Sequence, residues 1–351
     1  MKLLKQNLSS AAFVTSGLLV GIAFLVRSIP VSFSGRSIPQ YKLQLIRTLP
    51  GEMSIATSLN NAGHVVGYFQ RANGTWGAFL WKEEHVTTFG TSGTRLYIPH
   101  ALNEDGNIVV GHTGKQRDFD RIFVQRIHAV KAASVPASSA ICGRIYAINS
   151  SGDMAGYKLS DGSKKRRACV WQKGVVTELG TLGGQYSNAF GINDSGSVVG
   201  TAEIRLGVSH AFEWRNGLMR DLGTLGGDYS VAYGINNKGS IVGCVNTQNE
   251  GMRAFLYKEG KMTNLGTLGG SASEARAINE AEQIVGTSMN SQLTFCATLW
   301  LDGEIRDLNR LIPPTPGLVL TAARDINNRG QILCEGTLMG KQHAYLLTPV
   351  L

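Results

Sequence analysis

The chain has 351 residues, of which 43 are Gly, with a formal net charge of +9. So much glycine, with no long segment of 3.6-residue apolar period beyond the N-terminus, argues against a helical architecture. The positive excess permits weak attraction to acidic polymers or anionic surfaces but does not demand nucleic acid as a partner.

Lys2 and Lys5 open the chain, an uncharged stretch runs from Gln6 to Val26, and Arg27 follows. This pattern is that of a secretion signal or an uncleaved signal anchor. The 21 uncharged residues are enough to span a bilayer, which takes about 20. Ser32 and Ser34 are small residues suitably placed for cleavage before Gly35. Either way the remainder is expected outside the cytoplasm, in the extracellular space or cell envelope, and the membrane is met only through this segment. Residues 1–34 contribute three cations and no acid, so the rest carries +6. The expected organisation is a signal or anchor over 1–34, a short linker over 35–40, and one repeat domain over 41–351.

The repeat is clearest at Ala189-Phe190-Gly191-Ile192-Asn193-Asp194-Ser195-Gly196 and Ala232-Tyr233-Gly234-Ile235-Asn236-Asn237-Lys238-Gly239. Taking its Asn as a ruler gives Asn60, Asn103, Asn149, Asn193, Asn236, Asn279 and Asn327, at steps of 43, 46, 44, 43, 43 and 48 residues. A four-stranded propeller blade needs roughly 40–45 residues. In the unit near Ser187 the strands are expected at Ala189–Ile192 (a), Ser197–Ala202 (b), His210–Trp214 (c) and Leu218–Leu225 (d). The a–b turn reads Asn-x-x-Gly: Asn accepts from the backbone two residues on, and Gly takes the left-handed conformation. Six copies keep the Gly, whereas Glu282 predicts a looser or differently built sixth turn. The seventh copy ends after strand c. Residues 41–49 are therefore expected to supply its outer strand and close the ring. The fold class predicted is all-β, a seven-bladed propeller of four-stranded blades.

His210-Ala211-Phe212, with Gly-Ile-Asn before it and Asp221-Leu222-Gly223-Thr224-Leu225-Gly226-Gly227 after it, resembles the HAF repeat of exported bacterial proteins. The resemblance covers nearly all of 41–351 and is strongest over 175–300. It implies an exported repeat protein and brings no catalytic motif. The His recurs only at His343, with Gly77, Arg121, Arg167, Arg253 and Cys296 in the matching places, which argues against a catalytic role for it.

Cys142, Cys169, Cys244, Cys296 and Cys334 are odd in number and fall at non-equivalent places, as small buried thiols would, with one bridge left open. No spacing suggests zinc or calcium, and neither metal nor cofactor is expected. The Gly-Thr-Leu-Gly-Gly runs feed strands rather than helices and read as crossing turns, not phosphate cradles. The a–b and c–d turns share one face and look too tight for recognition. The opposite face carries the variable b–c loops, near Gln70–Trp76, Thr113–Asp120, Lys158–Lys165, Ala202–Ser209 and Val245–Met252, and insertions near His128–Arg144 and Asn309–Val319. The candidate ligand-binding residues on it are Lys164, Lys165, Arg166 and Arg167, with His112 and Trp76. The favoured function is a non-enzymatic, monomeric binding module for a surface polymer or another protein. The alternative is an envelope or secreted glycan-acting hydrolase or lyase, with carboxylates or a His–carboxylate pair converging at the channel mouth.

Overall fold

The computed structural model describes residues 39–46, 53–71, 74–89, 96–113, 121–126, 133–134, 143–159 and 165–350. The candidate signal or anchor, Cys142, Lys164 and residues 47–49 lie outside them. Among the described residues no helix is long and apolar enough to cross a membrane, and the helical element is a single 3-10 turn, Leu308–Arg310. The fold is an all-β propeller. Its strands form five four-stranded sheets and one eight-stranded sheet. The eight-stranded sheet joins two repeats through a single parallel bridge, Ser209 to Tyr229.

In the repeat near Ser187 the strands are Ser187–Ile192, Val198–Arg205, Val208–Arg215 and Leu218–Asp221. Strands b and c are thus longer than expected, because the b–c connection is a tight turn at Leu206-Gly207 and not an open loop. The same holds at Met339-Gly340, between Ile332–Leu338 and Lys341–Val350. Strand d stops early because the Asp221 carboxylate accepts from the Gly223 N–H and bends the chain. The insertion near Ala133 contains the outer strand of the second repeat, Ala133–Ser134. The insertion after Asn309 is anchored by that side chain, which exchanges hydrogen bonds with the Leu320 backbone.

The turn asparagines explain the repeat. Each Nδ2 donates to the backbone carbonyl of the next copy's Asn, at 3.0–3.2 Å, from Asn60 round to Asn327 and back to Asn60. Each Oδ1 accepts the N–H four residues on, so the acceptor role extends further along the chain than the expected two residues. Asp lacks the donor and Ser lacks the reach, so only Asn serves both neighbours. The Glu282 turn is not looser. Its N–H bonds Asn279 O at 3.0 Å as the glycine turns do, and Glu282 sits at φ +60. Lys258 and Ser240 hold its carboxylate there.

A second device staples neighbouring repeats at three junctions. Ser187, Ser230 and Ser273 stand at equivalent places in their inner strands, six residues before the turn Asn. Each hydroxyl accepts the N–H of the preceding repeat's strand-c alanine (Ala168, Ala211, Ala254) and donates to the Gly180, Gly223 or Gly266 carbonyl. The Thr of each Leu-Gly-Thr run donates to the second glycine's carbonyl, as Thr224 does to Gly227 O at 2.7 Å. These bonds make the run a crossing turn. The core lies between sheets: one cluster joins Ala155, Ala168 and Val170 to Ala189, Val198 and Phe212 of the next repeat.

Gln40–Leu45 pairs antiparallel with Lys341–Val350, with Leu43 opposite Leu347. Tyr41 is buried among Leu299, Leu308 and Leu320, and its N–H donates to Leu311 O at 2.8 Å. The N-terminal strand therefore completes the sheet of the last repeat. The four described cysteines, Cys169, Cys244, Cys296 and Cys334, are unpaired buried thiols.

Candidate functional site at the central channel

Six inner strands share one irregularity: register shifts where the residue three before the turn Asn would stand. The last repeat has the same shift and an additional one. The unpaired residues are Thr57, His100, Tyr146, Phe190, Tyr233, Arg276 and Arg324. A β-bulge re-aims a side chain, and here the re-aimed side chains of successive repeats meet around the axis. Tyr146 lies 5.0 Å from Phe190, Phe190 5.6 Å from Tyr233, and the Arg276 guanidinium 4.3 Å above the Tyr233 ring. Strand b makes room for the bulge with a glycine. A Cβ on Gly200 would fall on the Asn188 carbonyl oxygen, and Gly67, Gly156, Gly243 and Gly286 repeat this close approach.

One side of the channel wall is aromatic and the other is charged. Glu335 pairs with Arg324 at 2.8 Å, and Glu274 with Arg276. Burial pushes the Glu274 carboxyl above its ordinary value, and both arginines oppose that rise. Tyr68 stands within the fields of Glu335, Arg144 and Arg324, and burial raises its phenol. Burial, then the charge of Arg144, pulls His100 down to about 3, so its ring is neutral. Among the described residues no cluster of three or more His, Cys, Asp or Glu is arranged to hold a metal ion.

The opposite mouth, on the a–b turn face, opens into a cavity of about 190 Å³. Leu59, Leu102, Ile148 and their counterparts line it beneath the asparagine ring. The residues after each Asn form an outer ring in which side chains accept from neighbouring backbones: Glu104 from Asn61, Asp194 from Ser150, Asn237 from Asp194 and Glu280 from Asn237. Burial works against the Asp194 charge, but the Ser150 and Asn237 donors hold its carboxyl below the ordinary value. These polar groups are used up in joining one repeat to the next.

Of the candidate residues from the sequence, Arg166 and Trp76 come nearest this wall. Arg166 and Arg167 begin the strand Arg166–Gln172, with Lys165 before it. Arg166 lies 5.2 Å from the Tyr157 ring, which in turn is 6.1 Å from Tyr146. Trp76 begins Trp76–Lys82 and lies 5.5 Å from Tyr68. His112 belongs to Asn107–Thr113. His210 bonds Asp221 at 2.9 Å, tying strand c to strand d of its own repeat. The sequence reading missed His100, Arg144, Tyr146, Phe190, Tyr233, Glu274, Arg276, Arg324 and Glu335. The signal for six of them was a column: the place three before each Asn, Thr57 apart, holds an aromatic or basic residue.

No family model matches the chain, and no curated protein matches it by sequence. Solved structures do resemble it. The β-propeller domain of the Trilobed protease from Pyrococcus furiosus aligns over 85% of this chain and 97% of that one, at 10% identity and a TM-score of 0.60. That domain has an open Velcro topology, whereas here the N-terminal strand pairs with the last. YCF48 bound to D1 peptide aligns over 90% of this chain and 98% of that one, at 11% identity and a TM-score of 0.52. At such identities the likeness defines the class, a β-propeller, and nothing narrower.

Proposed function

We propose that this chain is an exported seven-bladed propeller of the HAF-repeat kind and works as a non-enzymatic binding module. The eight-stranded sheet counts as two blades, one per turn asparagine. Its ligand enters the channel from the b–c and d–a end. The observation that carries this reading is the wall of bulge side chains, aromatic on one side and ion-paired on the other, built at one column of the repeat. A hydrolase would need a carboxylate pair or a His–carboxylate pair free to move protons. Glu274 and Glu335 are instead each bound to an arginine, and His100 is neutral. The neighbour YCF48, seen with a peptide, shows that this class of fold can serve binding.

The test is retention of arrayed glycans and peptides by the full chain. Phe190→Ala/Tyr233→Ala is compared with Lys165→Ala/Arg166→Ala/Arg167→Ala. Loss in the first variant alone supports the channel. Loss in the second alone moves the site to the basic loop. Turnover of a glycan, abolished by Glu274→Gln, would replace the reading with the enzyme.

A further inference from the structure

Single exposed apolar residues are ordinary on a protein surface, but their placement here is not. Leu206, Leu293 and Met339 are 84%, 73% and 84% exposed, and each stands at the tip of a b–c turn. Leu206 lies between the paired Arg205 and Val208, and Met339 between Leu338 and Lys341. Leu293 lies in the turn closed by the Asn290 N–H on Thr294 O. Leu293 and Met339 also take left-handed backbone, at φ +61 and +50, which a bulky side chain rarely adopts. Among the described residues every other left-handed side chain is polar and lies on the opposite face, as Lys173, Asn216, Glu259 and Asp302 do in the c–d turns. Val175 and Leu218 are exposed there too, but each stands in strand d behind a polar tip.

The three tips reach a similar height. The asparagine ring sets one common level, and from it the b strands Val198–Arg205, Ile284–Asn290 and Ile332–Leu338 rise by 8, 7 and 7 residues. One residue of strand is a rise of about 3.3 Å. Phe295 and Val319 are exposed on the same face. Arg205 precedes Leu206 and Lys341 follows the Met339 turn, both exposed. On the opposite face the a–b turns carry the acids Glu104, Asp194 and Glu280, and the c–d turns mix both signs. The face with apolar tips is therefore the one an anionic surface attracts. The b–c tip of the fifth repeat, Gln248 to Gly251, is polar, so the apolar points are separate. A folded partner calls for one continuous apolar patch. A fluid bilayer admits separate points and takes the flanking cations at its headgroups.

We infer that the b–c/d–a face rests on an anionic lipid bilayer, with Leu206, Leu293 and Met339 entering the headgroup–acyl boundary and Arg205 and Lys341 at the phosphates. Burial in lipid offsets both costs seen in the isolated molecule, the exposure of the three side chains and the left-handed backbone of two of them. The inference goes beyond the binding-module reading and uses none of the channel residues. The channel mouth on this face then opens toward the headgroups.

The uncharged stretch from Gln6 to Val26 is long enough to hold the full chain on a vesicle whichever face is turned to it. The experiment therefore asks which face meets lipid. Leu206→Cys, Leu293→Cys and Met339→Cys are made singly in the full chain with Cys142→Ser, the four described cysteines being buried. Each carries an environment-sensitive nitrobenzoxadiazole label. Leu218→Cys and Glu259→Cys carry it on the opposite face. The probe is a phosphatidylcholine–phosphatidylglycerol vesicle, with and without a lipid bearing a nitroxide near the top of its acyl chain. The expected result is emission quenched about twofold at all three b–c tips and unchanged at 218 and 259, with the tip quenching lost in phosphatidylcholine alone. Thermal melts report the folding of each labelled chain, and a tip whose chain fails to fold is read from the other two. Tip labels left unquenched on vesicle-bound chain, as a protein-binding face would leave them, overturn the inference. Equal quenching on both faces, equal quenching without phosphatidylglycerol, or a chain that does not bind the vesicles overturns it too. None of these outcomes touches Phe190 or Tyr233, so the glycan and peptide array decides the channel reading separately.

Discussion

The turn asparagine is the residue on which the repeat depends, because both ends of its amide are used. In Asn236→Ala the Asn279 carbonyl loses its donor, and the Lys238 and Ser240 N–H groups lose their acceptor. Each unsatisfied buried group costs about 1–3 kcal/mol, so a loss of about 3 kcal/mol in urea unfolding is expected. Asn236→Asp keeps the acceptor and sets a carboxylate against a carbonyl, so it should unfold more easily at pH 8 than at pH 4. The seventh junction contains a natural titrating group. Asp325 accepts from Leu59 N and Ile326 N, and burial nevertheless pushes its carboxyl up to about 6. The folded state therefore holds this proton more tightly than the unfolded chain. The stabilisation is full below the ordinary carboxylate value and is lost as pH rises through about 6. Buried His100 contributes a rise over the same range, so the decline is read as a difference: the melting temperature of the parent minus that of Asp325→Asn should fall from pH 4 to 7. A difference that stays constant or grows over that range would contradict the assignment. The acceptor half of the Asn role was legible in the sequence from Asn-x-x-Gly. The donor half was not, because it joins residues about 43 apart that only ring geometry brings together.

At the level of the strand, the bulge and the glycine opposite it act as one unit. Gly200→Ala places a methyl on the Asn188 carbonyl oxygen, and neither backbone can yield without opening the a–b ladder. Backbone clashes of this kind belong to the severe class of substitutions, and a loss of about 3 kcal/mol is expected. The last repeat supplies the control. Cys334 stands at the equivalent place, where the inner strand has its additional register shift. Cys334→Gly should therefore cost only the packing of a small buried thiol, about 1 kcal/mol. Urea midpoints that changed equally in the two variants would sink this account of the bulge. The period-two pattern made strands a to d legible. It could not show the bulge, since an extra residue in one strand reads as one more apolar or aromatic position. The channel wall stayed hidden for that reason: Tyr146, Phe190 and Tyr233 look like core residues until the register places them opposite nothing.

Closure of the molecule rests on one short strand. Gln40–Leu45 covers the free edge of Lys341–Val350, and Tyr41 and Ile46 bury their side chains in two different inter-sheet clusters. Ile46 N also donates to Ala344 O at 3.0 Å, and the Ser54 hydroxyl accepts from Ala344 N. The strand therefore sits where the first and last repeats meet. The asparagine ring spans that seam as well, through Asn327 Nδ2 to Asn60 O at 3.0 Å. The two closures differ in kind: the strand buries apolar surface, and the ring satisfies polar groups. Deleting residues 1–38 should leave the melting temperature unchanged, because the strand is retained. Deleting residues 1–46 removes two large buried side chains and a ladder, each large-to-small loss in a core costing about 2–5 kcal/mol. A fall of about 10 °C is expected, with an exposed edge that pairs between molecules and elutes as larger species. A synthetic peptide of residues 39–52 added in trans should restore both the melting temperature and the monomer peak. If the 1–46 deletion melts and elutes like the 1–38 deletion, the asparagine ring alone holds the seam, and the N-terminal strand is an accessory to closure.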